Sequence, residues 1–127
     1  MKEKLFALLL EDAPRDAELV REYLLDEGYD IRLDVVNCEE DYLKKIGGTK
    51  YDIIYADFTL PGFTGQEALN YSLKICPDTP FICISGTIGE DKAVELVKQG
   101  ATDYVLKDRM ERLSLVTGRA LDASRHL

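Results

Sequence analysis

The chain lacks the long hydrophobic runs that a membrane-spanning segment requires. None of its apolar stretches approaches the roughly 18–20 residues needed to cross a bilayer. The run at residues 5–10 is too short for the apolar core of a secretory signal, and the acidic pair Glu11-Asp12 ends it. We therefore expect no contact with a membrane and interpret this run as the first strand of the fold.

Histidine and cysteine are scarce, and their spacing argues against a zinc site. The chain has one histidine and three cysteines, and no two cysteines have CxxC spacing. Cys83 lies inside an apolar run, which favours a small buried residue. An odd, scattered set of cysteines is typical of proteins from a reducing compartment, so we expect a cytoplasmic location.

Positive charge is also in short supply. The 16 lysine and arginine residues are outnumbered by 24 aspartate and glutamate residues, which gives a net charge of −8. Because a nucleic acid needs a basic surface to offset its phosphates, we expect no direct nucleic-acid partner. The length of 127 residues, with 46% hydrophobic and 31% charged residues, fits a single globular domain over residues 1–127.

A regular alternation of short apolar runs and amphipathic segments fills the chain. The runs are apolar or β-branched and are mostly followed by glycine, proline or acidic residues, which is typical of strands buried on both faces of a parallel sheet. Strands are predicted at residues 5–10, 31–36, 52–56, 81–84 and 102–106. Helices are predicted at about 14–27, 37–46, 65–76, 91–98 and from 108 toward the C-terminus.

Local signals indicate where these helices begin, where they end and which faces they bury. Pro14 suits the first turn of the first helix, and Gly28 is a natural stop after it. Asn37 with Glu40 has the spacing of a capping box, and the same spacing recurs in Asp108 with Glu111 at the start of the last helix. Apolar residues at helical spacing predict the packing faces: Ala17, Val20 and Leu24; Val94 and Val97; and Met110, Leu113, Val116 and Ala120.

Five strand–helix units in this order predict an α/β fold. It would be a doubly wound parallel sheet with helices on both faces and right-handed crossovers. The expected strand order is 2-1-3-4-5, that of the flavodoxin-like (βα)5 fold, whose switch point lies between the first and third strands. Ligands of such sheets bind outside the carboxyl ends of the strands, so we expect the residues that follow these strands to meet.

Polar residues follow four of the strands: Glu11 and Asp12, Asp57, Ser85, and Lys107. The fold brings the three carboxylates together, and their repulsion raises at least one pKa unless a cation neutralises them. An acidic cluster without histidine or cysteine suits a hard divalent ion, so Mg²⁺ or Mn²⁺ is the expected metal. Capping of the first helix is a second interpretation of the pair Glu11-Asp12.

The same groups match the needs of phosphoryl transfer. A carboxylate is able to act as a nucleophile and form an aspartyl phosphate. The transferred group then needs its charge stabilised, and a metal ion, the Lys107 ammonium and the Ser85 hydroxyl offer one partner for each oxygen. Backbone N–H groups after Asp57 and at Gly86 are further candidate donors.

In these motifs the whole chain resembles the receiver domain of bacterial two-component response regulators. Each motif alone is common, but all of them in order, separated by strand–helix units, are highly specific. The residues that carry the resemblance are Glu11-Asp12, Asp57 with Pro61-Gly62 and Gly65, Ser85-Gly86, and the stretch GATDYVLK at residues 100–107.

The resemblance implies a phosphoacceptor and a metal site. Asp57 would accept a phosphoryl group from the phosphohistidine of a sensor histidine kinase or a histidine phosphotransfer protein. Asp12 would bind Mg²⁺ directly and Glu11 through water. Asp57 and the Thr59 backbone carbonyl would complete the protein ligands, and Lys107 would pair with the carboxylate or the phosphoryl group.

The resemblance also implies how a signal leaves the site. Ser85 takes the position of the switch hydroxyl and Tyr104 that of the switch aromatic, for which plain packing is the alternative. Movement of both would remodel the face of the fourth helix, fifth strand and fifth helix, where a downstream protein or a fused output domain would bind. This face would include Lys92, Glu95, Lys98, Gln99, Tyr104 and Arg109. The chain would be a monomer or weak dimer, and not an enzyme beyond its own phosphorylation and dephosphorylation.

The chain departs from the family pattern at Asp108, where proline often follows the lysine, so the cis bond that often accompanies that proline is not carried over to this chain.

Two alternative functions remain open. A degenerate receiver would bind proteins without phosphorylation. A flavin-binding electron carrier would need a Ser-, Thr- or Gly-rich loop after the first strand, where this chain has Glu11 and Asp12. The chain would be a stand-alone receiver or part of a hybrid kinase or larger regulator.

Overall fold

Five parallel strands form one sheet in the order β2-β1-β3-β4-β5. The computed structural model describes residues 3–58, 60–86 and 89–125. The predicted flavodoxin-like order is confirmed, with the switch point between β1 and β3. The strands are β1 (Glu3–Leu10), β2 (Tyr29–Val36), β3 (Ile53–Asp57), β4 (Phe81–Ser85) and β5 (Asp103–Leu106).

Five α-helices flank the strands within the described residues. They are α1 (Pro14–Asp26), α2 (Glu39–Gly48), α3 (Gly65–Ile75), α4 (Glu90–Lys98) and α5 (Leu113–Arg125). A 3-10 helix, Lys107–Arg112, joins β5 to α5. Gly28 follows α1 with φ of 97°, a left-handed conformation that glycine adopts at low cost, as predicted for a helix stop. None of the described helices combines the length and the apolar character needed to cross a membrane.

The sheet lies between two helical layers, which buries its central strands on both faces. Alternate residues belong to opposite cores: Leu9 and Tyr55 pack with α1 and α5, whereas Leu10 and Ala56 pack with α2, α3 and α4. Every residue of β3 and β4 is buried. The packing faces predicted for the first and last helices are confirmed, since all their members are buried, including Met110 in the 3-10 helix before α5: Ala17, Val20, Leu24, Met110, Leu113, Val116 and Ala120.

The predicted capping box at Asn37 is wrong. The N-cap of α2 is Cys38, and no side chain caps the first turn. The chain remains extended through Cys38, with φ of −150° and ψ of 163°, which delays the helix. A capping box forms instead at the start of α3. There the Glu67 N–H donates to Thr64 Oγ1 at 3.1 Å, and the Thr64 N–H donates to the Glu67 carboxylate at 3.0 Å.

The predicted helix start at Asp108 is also wrong. This segment is a 3-10 helix, and Arg109, with φ of −133° and ψ of 41°, interrupts the helical geometry before α5 begins. Met110 and Leu113 are both buried against the sheet. Packing, rather than a local capping pair, therefore sets where the helix begins. The peptide bond between Lys107 and Asp108 is trans, as are the other described peptide bonds.

Two smaller features also differ from the prediction. β2 begins at Tyr29, two residues earlier than predicted, because it pairs with β1 along its whole length. In α4 the buried residues are Ala93 and Leu96. Of the predicted pair, Val97 is partly buried and packs against this core, whereas Val94 is 37% exposed and lies beside the packed face.

A buried hydrogen bond between the sheet and α5 offers a test of the packing. The hydroxyls of Tyr55 and Thr117 lie 2.7 Å apart, and both residues are fully buried. Thr117→Val keeps the side-chain shape but leaves the phenol without this partner, so we expect the free energy of unfolding to fall by about 1–3 kcal/mol in urea denaturation. Adding Tyr55→Phe removes the phenol hydroxyl that has lost its partner, so the double variant is expected to recover most of the lost unfolding free energy. A double variant no more stable than Thr117→Val would contradict this account.

Candidate functional site

The sheet register brings the polar residues that follow the strands to one edge. Glu11 and Asp57 stand level, because the residues just before them are paired across β1 and β3. Ser85 ends β4, and its partner on β5 is the residue before Lys107. The carboxyl ends of four strands thus place two carboxylates, a hydroxyl and an ammonium together, as the topology predicted.

The Lys107 ammonium holds three carboxylates at this edge. Its Nζ lies 3.0 Å from Asp57 Oδ2, 2.9 Å from Asp16 Oδ2 and 3.3 Å from Glu11 Oε1. Burial alone would lower the pKa of Lys107. The hydrogen bonds to Asp16 and Asp57, together with the charges of Asp57 and Glu11, outweigh this effect and raise the pKa. The ammonium therefore stays charged at neutral pH.

Asp16 is the member of this group that sequence reasoning missed. It lies in the first turn of α1, and its side chain is 37% exposed, whereas those of Asp57 and Glu11 are 7% and 3% exposed. It is thus the outermost of the three carboxylates. The sequence does contain a signal for this role, because Asp16 is an acidic residue in the first turn of a helix that begins beside the carboxyl end of β1.

Glu11 is buried directly beside Asp57. Its Oε2 accepts the N–H of Asp12 at 3.1 Å and that of Ala13 at 3.3 Å. Burial, then the hydrogen bond to Asp57 and the charge of that carboxylate, raise the pKa of Glu11 to about 7. Ala13 occupies the N-cap of α1 without a side-chain hydrogen bond, so the capping interpretation of Glu11-Asp12 is wrong. The single Lys107 ammonium therefore does not neutralise all the carboxylates of this pocket.

Glu11, Asp12 and Asp57 are placed to hold a metal ion. One carboxylate oxygen of each lies within 4.8 Å of the others, and Asp12 is the exposed member. These ligands are all oxygens, which suits Mg²⁺ or Mn²⁺. The raised pKa of Glu11 fits the same conclusion, because a divalent charge would offset the repulsion between it and Asp57. The Thr59 carbonyl, the other predicted ligand, lies outside the described residues.

Ser85 is buried at the end of β4, with only 1% of its surface exposed. Its hydroxyl donates to the Gly86 carbonyl at 3.2 Å. A Cβ added to Gly89 would overlap with Ser85 Oγ. The Gly89 backbone, with φ of −97°, is open to any residue. A side chain at position 89 would therefore have to displace the serine hydroxyl, although the backbone conformation itself would accept it.

Tyr104 lies half-buried on β5 and reaches the start of α4. Its hydroxyl donates to Glu90 Oε2 at 3.1 Å, and this hydrogen bond raises the pKa of Tyr104. The residue packs against the core shared with α2, α3 and α4. Since Glu90 directly follows Gly89, both Ser85 and Tyr104 contact the N-terminal end of α4.

One predicted backbone donor is already occupied. The N–H of Phe58, the residue after Asp57, donates to the Ile84 carbonyl at 2.9 Å as part of the β3–β4 pairing. It is therefore not free to bind a group attached to Asp57. The Gly86 carbonyl accepts from both the Ser85 hydroxyl and, at 2.9 Å, the Gly89 N–H, which closes the described part of the loop between β4 and α4.

Known proteins share the sequence pattern of this chain. The family model of the response regulator receiver domain matches residues 7–116. The regulatory protein LuxO of Vibrio cholerae is 31% identical over 114 residues, which cover 89% of this chain and 25% of LuxO. The chemotaxis protein CheY of Thermotoga maritima is 27% identical over 100 residues, which cover 79% of this chain and 82% of CheY. The chain thus spans about a quarter of LuxO and most of CheY.

Solved structures agree with the sequence relatives. The crystal structure of NtrX from Brucella abortus superposes with a TM-score of 0.85 at 29% identity, covering 98% of this chain and 28% of the NtrX chain. Its similarity to this chain extends over nearly all of the sheet and helices described above. The family model, in turn, matches most of the sequence, from β1 into α5. This chain belongs to the response regulator receiver domain family.

Proposed function

We propose that this chain is one receiver domain, residues 1–127, that accepts a phosphoryl group on Asp57 with the help of Mg²⁺ and thereby switches a protein-binding surface. The observation that carries the proposal is the Lys107 ammonium, 3.0 Å from Asp57 Oδ2 and shared with the buried Glu11 at 3.3 Å. A nucleophilic carboxylate, a cation beside it and oxygen ligands for a divalent ion are the parts that this transfer needs. Receiver domains are phosphoacceptor signalling domains, and membership of that family supports the assignment.

The reaction would be an in-line displacement at phosphorus. A carboxylate oxygen of Asp57 attacks the phosphorus of a phosphohistidine, and the new O–P bond forms as the P–N bond breaks. The imidazole nitrogen keeps the electron pair of the broken bond and takes a proton from solvent. Asp57 ends a strand in which every residue is buried, so its carboxylate is held in a fixed position for the attack.

The surrounding residues would share the charge of the transferred group. Lys107 donates to phosphoryl oxygens as negative charge develops on them. The Ser85 hydroxyl, which now donates to Gly86, would turn toward another oxygen by rotation about its one side-chain torsion. Glu11, Asp12 and Asp57, with the Thr59 carbonyl, would hold Mg²⁺, which when bound supplies positive charge to the carboxylates and the phosphoryl group.

The contacts at the start of α4 offer a path from the site to the surface. If the Ser85 hydroxyl turns toward a phosphoryl group, it leaves Gly86 and the space against Gly89. The N-terminal end of α4 is then free to shift, and Glu90 shifts with it. Glu90 accepts a hydrogen bond from the Tyr104 hydroxyl at 3.1 Å. Ser85 and Tyr104 are thus the switch residues of the proposal, and a local change at the site biases a surface with two arrangements.

The output surface of the proposal is the face of α4, β5 and α5. Response regulator receiver domains interact with histidine kinases and with output domains. For this chain we assign the phosphodonor to a sensor histidine kinase or a histidine phosphotransfer protein, and the α4–β5–α5 face to a downstream protein or fused output domain. The residues that we assign to this face lie on α4 and just after it, on β5 and in the 3-10 helix before α5: Lys92, Glu95, Lys98, Gln99, Tyr104 and Arg109.

The proposal also covers the protein's location and the limits of its chemistry. The three cysteines, Cys38, Cys76 and Cys83, are free thiols, which is typical of a reducing compartment and supports a cytoplasmic location. The chain would act on no substrate other than its own phosphoryl group, as a monomer or weak dimer. The acidic residues Glu11 and Asp12 after β1 do not favour a flavin phosphate there, and the complete set around Lys107 does not favour a degenerate receiver.

The phosphoacceptor is tested by labelling with a small phosphodonor. With acetyl phosphate and Mg²⁺, we expect the wild-type protein to gain one phosphoryl group, measured as intact mass, and Asp57→Asn to gain none, because the amide is not a nucleophile. Asp26→Asn, the same change at an exposed position at the end of α1, is the matched control and is expected to be labelled normally. Equal labelling of Asp57→Asn would refute the assignment, and absence of labelling in the wild type would favour the degenerate receiver.

The metal site is tested by the effect of Mg²⁺ on stability. A ligand that binds only the folded state stabilises it by about 1.4 kcal/mol at ten times its dissociation constant, so we expect Mg²⁺ to raise the free energy of unfolding of the wild type. Asp12→Asn is expected to lose most of this gain, because it removes one of the clustered carboxylates. Glu18→Gln, on the exposed side of α1, should keep it. An equal gain in Asp12→Asn and the wild type would show that Mg²⁺ binds elsewhere.

The contact between Ser85 and Gly89 is tested by a pair of substitutions. Gly89→Ala forces the serine hydroxyl out of its present position and also removes a favourable N-cap residue, so we expect a loss of about 1–2 kcal/mol in unfolding free energy by urea denaturation. In a Ser85→Ala background only the N-cap part of this loss is expected. Gly86→Ala, where nothing lies within 4 Å of the added Cβ, is the matched control and should be nearly neutral. An equal loss with and without the Ser85 hydroxyl would rule out the contact.

A further inference from the structure

The Lys107 ammonium has more carboxylate partners than the proposed reaction uses. An ammonium carries three N–H donors, and here Asp57, Asp16 and Glu11 surround it at 3.0, 2.9 and 3.3 Å. Asp57 is the proposed nucleophile, and Glu11 belongs to the proposed metal site. Asp16 has no part in either, although its contact with Lys107 is the shortest of the three.

Asp16 differs from the other two carboxylates in its position. It stands at the rim of the site on α1, with its side chain 37% exposed, and Lys107 between it and Asp57 is 30% exposed. Both Asp16 and Asp57 contact the same nitrogen atom, so a phosphoryl group on Asp57 would come close to the Asp16 carboxylate. Such a group adds about two negative charges at neutral pH.

We propose that Asp16 is a positioning residue that competes with the phosphoryl group for the Lys107 ammonium, and so weakens phosphoryl binding at Asp57. The inference rests on the proposed function of Asp57. Two effects act in the same direction. First, Asp16 attracts the Lys107 ammonium toward the rim of the site, so that the positive charge is shared between Asp16 and Asp57. Second, the Asp16 carboxylate itself repels the negatively charged phosphoryl group.

The surroundings give the ammonium room to move between these partners. A cavity of about 50 Å³ lies next to Asp16 and Lys107, lined by Leu19, Val20, Ile84 and Met110. Its walls are mostly apolar, so they suit the flexible carbon chain of the lysine rather than its charge. This space leaves the lysine carbon chain room to move when Nζ shifts from Asp16 toward a phosphoryl oxygen.

The test is the binding of beryllofluoride, a phosphoryl mimic, in the presence of Mg²⁺ at fixed ionic strength. We expect Asp16→Asn to bind it about twofold to fivefold more tightly than the wild type, the upper part of the range for an exposed ion pair. The rate of labelling by acetyl phosphate should rise by a similar factor. Asp16→Glu keeps the charge and is expected to bind like the wild type.

The matched control is Glu18→Gln, which makes the same change in net charge on the same helix. Glu18 pairs with Arg21 at 3.6 Å and has no contact with Lys107 among the described residues. The Glu18→Gln variant should therefore bind beryllofluoride with the same affinity as the wild type. A merely structural role for Asp16 predicts the opposite direction, weaker binding in Asp16→Asn. Weaker or unchanged binding in Asp16→Asn, or an equal gain in Glu18→Gln, overturns the inference alone. A wild-type protein that binds no beryllofluoride overturns the proposed function and the inference with it.

Discussion

Two buried carboxylates beside one ammonium are the constraint on which the rest of this structure depends. The side chains of Glu11 and Asp57 are 3% and 7% exposed, and a carboxylate buried to this degree needs a cationic or hydrogen-bonding partner. Lys107 is that partner. Its contacts reach across 50 residues of sequence to Asp57 and 91 to Asp16, so one side chain holds the ends of β1, β3 and β5 and the first turn of α1 at a single point.

The same arrangement explains why this edge of the sheet is suited to chemistry. One ammonium does not balance the carboxylates around it. Burial, and then the hydrogen bond to Asp57 and the charge of that carboxylate, raise the pKa of Glu11 to about 7. In the proposed function, a pocket in this state favours a divalent cation, and the cation would offset the charge of an anionic group added to Asp57. The surplus of negative charge is what would connect metal binding with phosphoryl transfer.

The proposed connection from the site to the surface would depend on a close contact more than on charge. Ser85 fills the space where any side chain at position 89 would lie, and Glu90, the next residue, binds the Tyr104 hydroxyl. A small displacement at Ser85 therefore bears directly on the first turn of α4. Packed contacts of this kind tend to have discrete arrangements, which is what a switch requires.

The outcome for individual residues shows what sequence reasoning was able to reach. The strand order and the meeting of Glu11, Asp57 and Lys107 were predicted, because they follow from short buried runs in a parallel sheet and from the polar residue after each run. The capping boxes predicted at Asn37 and Asp108 do not form in the structure. A helix cap contributes only about 1 kcal/mol, which is too little to decide where a helix begins. Burial of residues such as Met110 and Leu113 contributes more, roughly 1.5–3 kcal/mol for each large side chain, and decides the helix start.

The sequence by itself thus determined the fold and the edge of the sheet where the chemistry-bearing side chains gather, since both depend on the pattern of runs along the chain. Only the tertiary structure decided that Asp16 contacts Lys107 and that Gly89 lies against Ser85. Both contacts depend on how closely α1 and α4 pack beside the strand ends. That distance is set by the whole core between them and is not encoded in the spacing of the residues that meet.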